Sequence, residues 1–353
     1  MRVLVIGSSR TFYVRSYISI FLEKCCEVAF LDVGSSDYAN DSLLWHRKIT
    51  IYSRPLIDKL VKYLLWMFGI KDLTFFRKVR RIFSKKTISV PEQDSSFDVV
   101  FYFWGTTLMN VHRETMRKYP HARHILAINT YPIDFTEDYH PLKEELAYFS
   151  SFDVLLCATQ KMKIFLESVG VKNTETEIFP DLISKKTNFD FKPLENLPRK
   201  VAFLGNVDFT QRASDDVRVI IANLESRYDI EIWSQGEGGQ NLKQFSAFSF
   251  KDIYNGDLNK FLNANFDAVL YIYNNHGSIR EGVSLTTRFS LYEGCGLPLI
   301  ISKSIYSGIW QDFSSYYDLI DLDMFAKKSF FATKHNYQQE ARITKLLNIC
   351  RGI

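Results

Sequence analysis

Arg288 is the residue whose type and setting point most directly to chemistry. It stands near the head of the stretch Thr286-Thr287-Arg288-Phe289-Ser290-Leu291-Tyr292-Glu293-Gly294-Cys295-Gly296-Leu297-Pro298-Leu299-Ile300-Ile301-Ser302. A polar start, an amphipathic turn or two, a Gly-x-Pro break and an apolar run spell a helix feeding a parallel strand. Such a helix aims free N–H groups and a partial positive charge at the crevice beyond the strand ends. With Thr286 and Thr287 opening it and Arg288 beside them, the chemistry on offer is the binding of an anion. A planar guanidinium fork suits phosphate oxygens; the plain alternative for Arg288 is a surface ion pair.

Other polar groups stand at the ends of apolar runs, where an open α/β sheet binds its ligands. The first run, Arg2 to Ile6, ends in Gly7 and Ser8, and the run from His124 to Ile128 ends in Asn129, with Tyr131, Asp134 and His140 following. Asp134 or His140 has the acid–base chemistry to take a proton from a hydroxyl. Gly236 closes a run at Trp233, and His276 follows the run from Phe266 to Tyr273. Turn or cap roles are the plain alternative for each of these. Asp321-Leu322-Asp323 has the spacing of a magnesium ligand pair but reads as a helix cap. No metal is expected, and neither a Ser/His/Asp nor a Cys/His arrangement is supported by turn chemistry.

The elements that must position these residues form an α/β pattern. Arg2–Ile6, a small-residue turn, a helical period over residues 12–22 and a second run at Glu27–Leu31 open a doubly wound sheet. Ser9 and Phe12 replace two glycines of the dinucleotide fingerprint after Gly7, which argues against NAD. Further strands are predicted at residues 97–103, 124–128, 152–157 and 176–179. A proline-rich, aperiodic stretch, 181–199, then reads as a linker. The pattern restarts at Lys200 with strands at 200–206, 230–233 and 266–273 and a helix from Val217 to Leu224. Two Rossmann-like doubly wound domains, 1–180 and 200–335, are therefore predicted, with a last helix in 336–353.

At 353 residues, 46 % hydrophobic and 24 % charged, the chain is globular and long enough for two cores. Its five cysteines are scattered, without metal spacing, as in a reducing cytoplasm. No run reaches the length of a membrane span. The net charge of +4 is unevenly spread: residues 54–86 carry ten Lys or Arg against Asp58 and Asp72, a local +8 that leaves the remainder at −4. This insertion, 53–87, interleaves aromatics with cations, as in Phe75-Phe76-Arg77-Lys78-Val79-Arg80-Arg81-Ile82-Phe83. It suits either an anionic membrane surface at the inner face or a helix pair packed on the sheet. Nucleic acid is disfavoured, since no binding motif accompanies it.

The run Gly296-Leu297-Pro298-Leu299-Ile300, with Arg288 eight residues before its glycine, resembles the donor-site helix of GT-B nucleotide-sugar glycosyltransferases of the group 1, family 4-like type. Phe203-Leu204-Gly205-Asn206-Val207-Asp208-Phe209-Thr210-Gln211-Arg212 is similar to the strand and loop that open the family's donor domain, where an Arg and then a Lys reach the diphosphate. Here Asn206 takes the first of those places and Arg212 the second. The family's acidic pair departs further. Leu291 stands where its second Glu would be, with Glu293 two positions on and about 200° around a helix, and Val283 stands at the first, near Glu281.

The resemblance implies that the two domains face across a cleft and that the last helix packs back on the first. It also implies a cytoplasmic hexosyltransferase of polysaccharide biosynthesis, using a nucleoside-diphosphate sugar and a saccharide or lipid-linked saccharide acceptor, without metal. Arg212 and Arg288 would stabilise the leaving diphosphate. Gly205, Asn206, Gly236, His276, Glu281, Thr286, Thr287 and Glu293 would line the donor side, and Gly7, Ser8, Asn129 and Tyr131 the acceptor side, with Asp134 or His140 as base. A non-catalytic nucleotide- or glycan-binding protein of the same form, or a nucleotide-sugar epimerase, are the alternatives.

Overall fold

The structure, a computed structural model, describes residues 1–8, 11–32, 48–50, 96–103, 108–128, 143–172, 174–182, 189–205, 217–235, 243–272, 287–292, 294–301, 316–318, 322 and 339–353. The apolar runs form two wholly parallel sheets. The first contains β1 (Arg2–Gly7), β2 (Glu27–Asp32), β3 (Lys48–Thr50), β4 (Val99–Phe103), β5 (Arg123–Ile128), β6 (Val154–Cys157) and β7 (Glu175–Ile178), in the order β3-β2-β1-β4-β5-β6-β7. The second contains β8 (Lys200–Phe203), β9 (Glu231–Gln235), β10 (Lys243–Phe245), β11 (Ala268–Tyr271), β12 (Leu299–Ile301) and β13 (Tyr316–Asp318), in the order β10-β9-β8-β11-β12-β13. Each sheet starts in its middle and reverses direction once, between β1 and β4 and between β8 and β11. Ligands of open α/β sheets bind outside the carboxyl ends of the strands at such switch points.

The central strands β1, β4, β5, β6, β8, β11 and β12 are continuous apolar runs because both faces of each sheet are covered. Along β1, Val3 and Val5 enter one core while Leu4 and Ile6 enter the other. The first core is closed by α1 (Phe12–Glu23), and the second by α2 (Met109–Lys118), α3 (Lys143–Phe149) and α4 (Gln160–Ser168). Along β8, Val201 and Phe203 alternate with Ala202 and Leu204 in the same way. There α5 (Arg218–Tyr228) covers one face, while α6 (Phe250–Asn255), α7 (Asp257–Asn265) and α8 (Thr287–Tyr292) cover the other. The fold is thus the doubly wound pair of domains expected. Helices α2, α3, α6 and α7 and the edge strands β3, β10 and β13 are additions to what the sequence predicted.

The last helix, α9 (Gln339–Arg351), follows the second sheet in sequence and packs on the first. Ile343, Leu346, Ile349 and Cys350 join the core that holds Val3, Val28 and Phe179. Glu340 pairs with Lys24 at 2.9 Å and Lys345 with Glu177 at 2.7 Å. A second contact joins α1 to α6. The ring of Phe12 stacks on Phe250 with centroids 6.2 Å apart, and the guanidinium carbon of Arg15 lies 5.4 Å from the same ring. The linker is tied to the second sheet, with Lys192 N–H donating to the Gly296 carbonyl at 2.9 Å. The basic insertion 53–87 lies outside the described residues, and among these no helix is long and apolar enough to cross a membrane.

Candidate functional site

The site is built where β8 and β11 part. Their ladder runs through Ala268 opposite Val201 and Val269 opposite Ala202. Beyond it α8 lies across the seam, presenting two residues one turn apart on one face, Arg288 and Tyr292. Phe289 and Tyr292 bury α8 in the core beneath it. Two amides of α7 hold it from the side: Asn259 Nδ2 donates to the Leu291 carbonyl at 3.2 Å, and Asn263 Nδ2 to the Cys295 carbonyl at 2.8 Å. These bonds satisfy carbonyls that the end of a helix leaves unpaired.

Arg288 reaches over the carboxyl ends of both strands. Its guanidinium carbon stands 4.4 Å from the centroid of the Phe203 ring and 5.8 Å from that of Tyr271. Its Nη1 donates to the Ile272 carbonyl at 3.2 Å, at the foot of β11. A cation over an aromatic face gains about 0.5–2 kcal/mol, more as it is desolvated. The group is therefore oriented by the protein itself. Gly205 explains how it fits: a Cβ built there would lie 2.9 Å from both Cζ and Nε of Arg288, and the backbone at φ +135° is one that other residues rarely adopt. Glycine two residues beyond β8 leaves the room that the guanidinium occupies beside the main chain.

Tyr292 is wholly buried, and its hydroxyl accepts from Leu204 N–H at 2.8 Å and donates to the Leu270 carbonyl at 2.9 Å. Nearby Cys295 is no nucleophile, since burial pushes its thiol up to about 12. Among the described residues no group of three His, Cys, Asp or Glu could hold a metal ion.

Of the residues picked from the sequence, the structure brings together Arg288 and Gly205, with the backbone of Thr287 opening α8. That helix has six residues, under two turns, in keeping with the turn or two expected, and its short dipole adds little to the binding of an anion. Among the described residues, the side-chain cation at the seam is Arg288. Arg212, Asn206, Gly236, His276, Glu281, Thr286 and Glu293 lie outside the described residues, as do Asn129, Tyr131, Asp134 and His140.

Gly7 and Ser8 stand at the switch point of the first sheet. A Cβ on Gly7 would come 2.9 Å from Val14 Cγ2 and 3.0 Å from Phe103 Cδ2, so close helix packing accounts for that glycine. The Ser8 carbonyl accepts from Thr11 Oγ1 at 2.8 Å and shapes the turn into α1. Sequence reasoning missed Phe203, Tyr271 and Tyr292 as parts of the site. The one local signal was the four-residue spacing of Arg288 and Tyr292.

No protein-family model matches the sequence, and no curated protein matches it. Solved structures do match along the whole chain. The lipopolysaccharide outer core galactosyltransferase WaaB, in its apo form, is 14 % identical over 99 % of this chain and 95 % of its own, with a TM-score of 0.52. The pneumococcal O-GlcNAc transferase GtfA, in complex with UDP and GlcNAc, is 10 % identical over 100 % and 92 %, at 0.51. TarM of S. aureus, solved with fondaparinux, alpha-GlcNAc-glycerol and UDP, is 9 % identical over 99 % and 93 %, at 0.52. The two parallel sheets, their central switch points and this likeness along the full chain give the protein the two-domain, Rossmann-like GT-B fold.

Proposed function

We propose that the protein is a glycosyltransferase that moves a hexosyl group from a nucleoside-diphosphate sugar to a saccharide or lipid-linked saccharide. The observation that carries this reading is Arg288, held at the switch point of the second sheet by Phe203, Gly205 and the Ile272 carbonyl. Two proteins of similar fold were solved with UDP, which supports a nucleotide as part of the ligand.

In the reaction the bond from the anomeric carbon to the diphosphate oxygen breaks, and its electron pair stays on the diphosphate. The acceptor hydroxyl oxygen bonds to the anomeric carbon and gives up its proton, to the departing diphosphate if configuration is retained or to Asp134 or His140 if it is inverted. Charge on the leaving oxygen is greatest in the transition state. A cation already oriented there lowers the barrier more than it strengthens ground-state binding. Arg212, seven positions after Gly205 in the sequence, is proposed as the second cation, and no metal is required.

Incubation with UDP-glucose, GDP-mannose and dTDP-glucose tests the reading through release of the nucleoside diphosphate. Arg288→Ala lowers kcat about 100-fold, the usual cost of one transition-state donor, while EDTA leaves the wild-type rate unchanged. Undiminished turnover in that variant overturns the role given to Arg288. Nucleotide binding with no release of diphosphate favours a non-catalytic binder.

A further inference from the structure

We infer that Tyr292 is a positioning residue for this transfer, acting through Arg288 by holding the β8–β11 seam open; the inference rests on the reading above. The register carries the argument. With Val201 opposite Ala268 and Ala202 opposite Val269, one further step of the parallel ladder would join Leu204 N–H directly to the Leu270 carbonyl. The Tyr292 hydroxyl sits in that bond instead, accepting from one group at 2.8 Å and donating to the other at 2.9 Å.

Two hydrogen bonds in series through an oxygen hold the strand ends farther apart than one direct bond of about 2.9 Å would. The gap is where Arg288, one turn earlier on the same helix, lays its guanidinium against Phe203 and Gly205 and caps Ile272. Wedge and cation are thus one four-residue unit of α8. Without the hydroxyl, Leu204 N–H and the Leu270 carbonyl are free to close on each other, and the seat of the guanidinium narrows.

A double-mutant cycle on the full chain tests this, read as nucleoside diphosphate release from UDP-glucose, GDP-mannose and dTDP-glucose and as thermal stabilisation by inorganic pyrophosphate. Tyr292→Phe is expected to lower kcat about tenfold with KM within about twofold, the pattern of an interaction lost in the transition state. Because the two residues act as one unit, Tyr292→Phe added to Arg288→Ala lowers kcat no further than Arg288→Ala alone. Leu224→Ala, a core truncation under α5, controls for stability: it lowers the melting temperature and leaves kcat unchanged.

Multiplying effects in the double variant overturn the inference while leaving the role of Arg288 standing. If Arg288→Ala itself changes neither turnover nor the pyrophosphate shift, the underlying reading fails and the inference with it. A wild-type protein that neither turns over any of the three donors nor is stabilised by pyrophosphate overturns both.

Discussion

Gly205 and Arg288 occupy each other's space, so a change at either is read at both. Alanine at 205 must adopt φ +135° and must also displace the guanidinium, since its Cβ would sit 2.9 Å from Cζ. Strained backbone of this kind costs about 1–3 kcal/mol. Gly205→Ala is therefore expected to lower the melting temperature by several degrees and to lower kcat as well, because the cation leaves its aromatic slot. Calorimetry with initial-rate assays checks both, and loss of stability with unchanged kcat would separate the glycine from the chemistry. The place of Arg288 at a strand end was legible in the sequence because it opens a helix that feeds an apolar strand through a Gly-x-Pro break. Tyr292 was not: its hydroxyl partners are backbone atoms 88 and 22 positions away, brought together by the strand register alone.

At the scale of elements, α2 and α3 are joined through the first sheet's core by a histidine that stays neutral. His112 Nδ1 lies 2.6 Å from the Tyr148 hydroxyl, and burial pushes the imidazole from 6.5 down to about 3. On the same face of the sheet, against the same Tyr102 ring, His124 Nε2 donates to the Tyr119 carbonyl at 3.0 Å, its Nδ1 accepts from the Tyr102 hydroxyl at 2.8 Å, and burial lowers its pKa too. Below about pH 6.5 the unfolded chain binds protons that the folded chain refuses. Stability is therefore present above that pH and is lost as pH falls, by about 1.4 kcal/mol per pH unit from His112 alone, until about pH 3. Urea unfolding at about pH 7 and about pH 5.5 measures the slope, and His112→Phe should flatten it by that amount. The central strands were legible as elements because parallel strands buried on both faces are unbroken apolar runs, whereas the short edge strands β3, β10 and β13 carry no such run. Helices α6 and α7 were not, since Gly256 interrupts their period and their asparagines read as loop residues. Asn259 and Asn263 are polar because α8 needs donors there.

Among the described residues, the contacts that join the two halves include the α1–α6 aromatic contact and the return of α9 to the first sheet. Leu346 of α9 is fully buried in the first core. Leu346→Ala should lower unfolding stability by about 2–5 kcal/mol, and a melting temperature within a degree of the wild type would show that α9 contributes little. Charge is also a property of the whole molecule. The +8 of residues 54–86 against −4 elsewhere concentrates positive charge in one stretch of sequence that also interleaves aromatics with cations. We propose that this stretch meets an anionic membrane surface, where a lipid-linked acceptor would be found; each Lys or Arg near such a surface gains about 1 kcal/mol. Co-sedimentation with phosphatidylcholine vesicles, with and without phosphatidylserine, is the measurement. Binding should need the anionic lipid, weaken as salt shortens the screening length, and fall sharply when Arg77, Lys78, Arg80 and Arg81 are replaced by Gln. Equal binding to both vesicles, or none, would mean instead that the insertion's cations serve the protein's own surface.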